Sequence, residues 1–280
     1  MSGNYEYLKP EDYAEPRCPL SGETYGSSPD VLPVPQQRII EKLNDHMSRR
    51  EYPAAERHLL FWLNEAKLGN DLRGQLMIQN ELIGHYRKVS DRDNAFASID
   101  EAMKLLELLD FDGSVSSGTT YVNAATAYNA FGENERALEL FEKARAVYEA
   151  SPDTQPQLLG GLYNNMALTY VAVKEFDKAF SLYEKAYDIM GNVPAGVLEQ
   201  AITCLNIANA IEDQVGMDQG EKRIYELLDK ASDLLDSPRA PHDGYYAFVC
   251  EKCAPTFSYY GYFLEADELK KRSEQIYERD

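Results

Sequence analysis

ALELFEKARAVY, residues 137–148, is nearly repeated as AFSLYEKAYDIM at 179–190 and more loosely as AFASIDEAMKLL at 95–106, each copy beginning 42 positions after the last. The same period holds outside these dozen residues. Tyr86, Tyr128 and Tyr170 are 42 apart, as are Ile83, Ala125 and Ala167, then Ala95, Ala137 and Ala179, and finally Ala102, Ala144 and Ala186. Large residues recur where large ones stood and small where small ones stood. Two antiparallel helices that cross closely at a small residue, with bulky side chains filling the space above and below, impose that requirement. A fixed period of this length means that the chain grows by stacking units rather than by enclosing one core.

Working outward, apolar residues fall at helical three- and four-residue spacings from about Pro35 onward, interrupted at intervals by Gly, Asn, Asp or Pro. Strand-like alternation is absent from the pattern. The reading predicts helices near 36–49, 53–68, 72–88, 92–109, 117–131, 134–149, 155–173, 176–190, 196–214, 218–235, 242–260 and 263–279. They pair into units at about 36–70, 71–110, 117–152, 155–191, 196–236 and 242–280, the first and last expected to act as end caps. Six of the thirteen prolines lie within residues 1–35, and proline fixes φ and removes a donor, so this stretch reads as an extended leader. Its tyrosines and leucines supply apolar surface with which it could lie along a folded body, including the protein's own groove as an autoinhibitor.

In Y121-V-N-A-A-T-A-Y-N-A-F-G-E-N-E-R-A-L-E-L-F-E-K-A144 the order is large, small, aromatic, turn glycine, small, aromatic, small, carried by Tyr121, Ala124, Ala125, Tyr128, Gly132, Ala137, Phe141 and Ala144. The next unit answers with Tyr163, Met166, Ala167, Tyr170, Ala179, Tyr183 and Ala186. This order resembles the tetratricopeptide repeat family. The period of 42 is longer than is usual there and resembles the kinesin light chain type of repeat. The resemblance implies an all-α, right-handed α-solenoid of about six helix-turn-helix pairs. Two departures stand in the unit near Ala201, where Gly220 replaces the small residue of the second helix and Ile211 replaces the aromatic.

Stacked pairs present their first helices along a concave groove. With Tyr121, Tyr163 and Cys204 facing their own second helices, Asn123, Asn165 and Asn206 are expected to turn toward it. Asparagine is a poor helix former, so three in register need a reason. A side-chain amide offers a donor and an acceptor, which suits a peptide unit of an extended chain whatever its side chains. The resemblance implies that role for these three residues. Asn80, Asn129, Asn164 and Asn209 are expected at neighbouring groove positions, with Glu81, Arg87, Lys88, Glu212 and Asp213 toward the edges. The alternative is that the amides bond to each other or to nearby helix ends and specify packing, since buried amides find partners either way. The paired lysine, asparagine and arginine pattern that clamps a C-terminal carboxylate is not found, so chaperone-tail binding is not expected.

The formal net charge of −19 disfavours phosphate backbones and anionic lipid, and either steers cationic partners inward or merely keeps a soluble protein apart from its neighbours. No apolar run approaches the roughly 18–20 residues needed to cross a bilayer, and MSGNYEYLKPEDYAEP lacks the basic start and apolar stretch of a signal peptide, so a cytoplasmic protein is expected. Four cysteines, Cys18, Cys204, Cys250 and Cys253, do not make a disulfide framework. Cys250 and Cys253 have the spacing of a metal or redox pair, but without a second pair nearby they read as buried structural thiols. His46 takes the place of the repeated aromatic. None of the four histidines is spaced to suggest a triad, and SGETYGSS at 21–28 lacks the lysine of a phosphate loop. YYAFVCEKCAPTFSYYGYF, 245–263, either packs on the polar closing helix ELKKRSEQIYERD, the favoured reading, or is partly exposed as a dimer surface. Pro255 is expected to kink it.

The sequence thus predicts a non-enzymatic scaffold that holds an extended peptide or partner segment, a basic one being compatible with the charge. It would need no cofactor or metal, bind neither nucleic acid nor membrane, and be a monomer or weak homodimer. The other reading is a bacterial regulator in which a small signalling peptide alters the curvature of the array.

Overall fold

The computed structural model describes residues 30–278, which form twelve α-helices and no strand. They are α1 Gln36–Ser48, α2 Tyr52–Leu68, α3 Leu72–Lys88, α4 Arg92–Leu108, α5 Val115–Ala130, α6 Asn134–Ala150, α7 Pro156–Ala172, α8 Phe176–Gly191, α9 Val197–Val215, α10 Met217–Leu235, α11 Gly244–Tyr259 and α12 Phe263–Tyr277. Every boundary lies within two residues of its expected place. The fold class is therefore all-α, built from six successive helix pairs as the period requires. The chain divides into two compact units, residues 1–153 and 154–280, with six helices in each. In the first, α3 packs on α4 and α5 on α6, and the first helices α3 and α5 lie side by side. In the second, α7 packs on α8, α9 on α10 and α11 on α12, and α9 touches both α7 and α11.

The repeated small and large residues meet inside the pairs. Ala95, Ala125, Ala137, Ala144, Ala167, Ala179 and Ala186 are fully buried, and so are Phe141 and Tyr183. The absence of side-chain bulk at the alanines lets the helix backbones approach, and the rings fill the space on either side. The two departures near Ala201 compensate each other. A Cβ added to Gly220 would stand 2.7 Å from Cγ2 of Ile211, so the residue without a side chain makes room for the branched one.

Turns inside the pairs are repeated as backbone rather than as sequence. Ser90, Gly132, Lys174 and Gly216 all have positive φ and are spaced by 42. At Gly132 the cap is a Schellman motif: Gly132 N–H donates to Asn129 O at 2.9 Å and Glu133 N–H to Tyr128 O at 2.9 Å. The second bond recurs from Asp91 to Tyr86, from Glu175 to Tyr170 and from Glu51 to His46. His46 thus occupies the repeated aromatic's place in the turn as well, with Nδ1 2.8 Å from Oε2 of Glu51. Ser90 and Lys174 adopt the left-handed region at a cost that glycine avoids, because the flanking bonds over-determine the turn.

Residues 30–35 precede α1 without helix, as Pro33 and Pro35 dictate. Leu32 N–H donates to Gly69 O at 2.8 Å and Val34 N–H to Oδ2 of Asp71 at 2.9 Å, while Oδ1 of Asp71 caps α3 at the Gly74 N–H. One carboxylate therefore fixes both the chain entry and a helix start. The rest of the expected leader, Cys18 and SGETYGSS lie in residues 1–29, outside the described residues.

Candidate functional site

Asn80 on α3 sits half-buried against Thr120 and Asn123 on α5. Its Nδ2 donates to Leu76 O and to Oγ1 of Thr120, both at 3.0 Å, and its Oδ1 accepts from Nδ2 of Asn123 at 3.0 Å. Thr120 passes its own proton to Ser116 O at 3.1 Å. The second unit builds the same trio. Asn164 on α7 donates to Oγ1 of Thr203 at 2.9 Å, Asn206 donates to Oδ1 of Asn164 at 3.4 Å, and Thr203 donates to Glu199 O at 2.8 Å. In each, an asparagine of one first helix is gripped by a threonine and an asparagine three residues apart on the next.

The amide capacity is then unequally spent. Asn80 has donated both N–H groups and used Oδ1 once, and Asn164, only 6% exposed, has used both ends of its amide. Asn123 and Asn206 each spend one N–H, leaving a second N–H and Oδ1 at the half-buried edge. Asn165, half-buried beside Asn164, makes no side-chain hydrogen bond among the described residues, although its backbone carbonyl accepts from Oγ1 of Thr169 at 3.1 Å. An inner amide is consumed in fixing the outer one.

Residues 74–150 match the family model described as tetratricopeptide repeat, which spans the helix pairs α3–α4 and α5–α6. These two pairs are thus similar to tetratricopeptide repeats. Similar solved structures include nearly identical TPR-like repeats of a kinesin light chain of Podosopora anserina, with 19% identity, 72% of this chain and 94% of that chain covered, and a TM-score of 0.49. Another is BtubC (BKLC) from P. vanneervenii, with 16% identity, 86% and 90% covered, and a TM-score of 0.46. No curated protein matches the sequence.

Along the first helices, the structure redistributes the expected residues. Asn80 and Asn164 were expected on the groove surface, but their amides turn into the seam between first helices, because the neighbouring threonine hydroxyl satisfies them there. Asn129 is half-buried in the last turn of α5, where its carbonyl takes the Gly132 cap. Asn209 is exposed and its Oδ1 accepts from the Tyr260 hydroxyl at 3.1 Å. Thr120 and Thr203 were missed, although T120-Y-V-N123 and T203-C-L-N206 display their three-residue spacing openly.

The described cysteines are core. Cys204, Cys250 and Cys253 are buried, and burial pushes their thiols up, the first two to about 11 and Cys253 to about 12, so none is a thiolate at neutral pH. Among the described residues no group of His, Cys, Asp and Glu is placed to hold a metal ion, and no helix is long and apolar enough to cross a membrane. One side of the aromatic segment packs inward, as the favoured reading expects, and the other is exposed. Tyr246, Cys250, Cys253 and Phe257 pack inward, with Nη1 of Arg272 on α12 bonding the Tyr246 hydroxyl at 3.0 Å, while Tyr245, Phe248 and Tyr259 on the other side of α11 are exposed. Helix α11 runs through Pro255 without interruption.

Proposed function

We propose that the protein is a non-catalytic binding scaffold whose first-helix faces hold an extended segment of a protein partner. Protein–protein interaction is the general work of tetratricopeptide repeats, and the finer reading rests on one observation. The outer amides of Asn123, Asn165 and Asn206 keep unspent donors and acceptors at the half-buried edge, and two of them are oriented by inner amides that are themselves bonded at both ends. A fixed amide edge can take the N–H and C=O of a peptide without reading its side chains, leaving specificity to neighbouring pockets. Asn123 acts in the first unit, and Asn165 and Asn206 in the second.

At about 1 kcal/mol per hydrogen-bonding rung, losing the two rungs of the second unit weakens binding by about 2 kcal/mol, or roughly 30-fold. The test is an array of short synthetic peptides probed with the purified full chain, followed by fluorescence anisotropy on the peptides retained. Asn165→Ala with Asn206→Ala is expected to lose that affinity while the helical circular dichroism is unchanged. Retention of no peptide at all removes the reading. Equal affinity of variant and wild type shows that the amides serve packing alone.

A further inference from the structure

The α9–α11 seam of the second unit carries chemistry that an amide row does not explain. Its exposed side alternates rings and carboxylates. The Tyr245 hydroxyl bonds Glu199 at one end. At the other, the Tyr259 hydroxyl donates to Oε1 of Glu212 at 2.9 Å and the Tyr260 hydroxyl to Oε2 at 2.7 Å. Phenols orient a carboxylate without supplying a counter-charge, so Glu212 is held in place by two donors that are not cations. Asp213 beside it has one loose partner, Nζ of Lys174 at 3.9 Å, while burial pushes the Glu199 carboxyl up against the weaker pull of Lys252. The Glu212–Asp213 pair is thus the acidic end of this side.

At the Glu212 end lies an open pocket of about 500 Å³ bounded by Asn209, Glu212, Asp213, Gly216, Met217 and Tyr259. Tyr259 is 69% exposed and packs edge-on against Tyr260 with ring centroids 4.9 Å apart, which leaves one of its faces open. An aromatic face and a thioether beside two carboxylates suit a flat or alkyl-stemmed cation, which gains an ion pair and a cation–π contact in one position. An anion is repelled, and an apolar side chain would cover the carboxylates without pairing them. A second copy of the chain brings a net charge of the same sign, −19.

We infer that the α9–α11 face receives a basic segment of the partner, with an arginine or lysine side chain entering the pocket between Tyr259 and the Glu212–Asp213 pair and apolar neighbours resting on Tyr245 and Phe248. The inference rests on the peptide-binding reading and names the partner's chemistry. It is tested on the same peptide array. Retained peptides should be rich in arginine and lysine, and their affinity should fall at least about tenfold with Glu212→Gln plus Asp213→Asn. Tyr259→Ala, at an exposed ring, should weaken binding as well and guards against a folding defect in the double variant. Glu226→Gln plus Asp233→Asn on α10 removes the same charge elsewhere and should leave affinity within about twofold. If the α10 control weakens binding equally, attraction is to the whole acidic surface and the pocket is refuted. If peptides without basic residues are retained and the pocket variants leave them unaffected, peptide binding stands and this inference falls. If nothing is retained, both fall together.

Discussion

Replacing Asn80 by valine tests whether the inner amides hold the first helices together. Asn80 makes two hydrogen bonds across to α5, one to Thr120 and one from Asn123. At about 1 kcal/mol each, plus part of the penalty for leaving buried Thr120 without its donor, the loss is about 2–3 kcal/mol. With a urea slope of about 2 kcal/mol per molar, the unfolding midpoint should fall by roughly 1 M. Trp62, the single tryptophan, lies on α2 in the first unit, so its fluorescence reads the unfolding of that unit. The decisive arm is a compensated variant. Forty-two positions on from Asn80 and Thr120 the sequence has Val122 and Leu162, so the repeat accepts an apolar residue at each of the two places. Asn80→Val with Thr120→Leu keeps the same number of side-chain heavy atoms and leaves Thr120 no polar group to orphan. It should recover most of the loss, because replacing both partners by apolar groups is far cheaper than replacing one. A single variant with an unmoved midpoint, or a double variant less stable than the single, would refute the reasoning.

Two other changes follow from the buried polar groups. Tyr183 is fully buried and its hydroxyl has no hydrogen-bond partner among the described residues, so Tyr183→Phe should raise the thermal midpoint, by about 1 kcal/mol of stability; a lower melting temperature by circular dichroism would contradict this. Burial raises the pKa of Glu81 above its usual 4.5, so above that pH the folded protein holds more protons than the unfolded chain and loses stability as pH rises through the folded value. Glu81→Gln removes that penalty. The variant should be more stable than wild type at neutral pH, with the gap shrinking as pH falls toward about 4.5 in Trp62-monitored urea titrations; a gap independent of pH would show that charge is not the cause.

The helices were legible because their signal is local and repeated. Alanine at 95, 137 and 179 and a ring at 86, 128 and 170 define a crossing point and its filling before any coordinates are known. Gly132 announced its turn, whereas Ser90 and Lys174 adopt the same left-handed backbone with no composition cue, because flanking bonds imposed by the helix pair hold them there. Asn165 and Asn164 are adjacent in sequence and belong to different surfaces, since one residue rotates a helix position by about 100°. The division of the aromatic stretch into Tyr246 inside and Tyr245 outside has the same origin.

Residue order by itself determined that this is an all-α array of paired helices with a 42-residue step, because the spacing of small and large side chains is covalent and independent of what the helices later meet. Only the tertiary structure decided which amides are consumed and which remain available, and that the Glu212 carboxylate is held between two phenols. Those assignments depend on the register between neighbouring first helices and on side chains about forty or more residues apart in sequence.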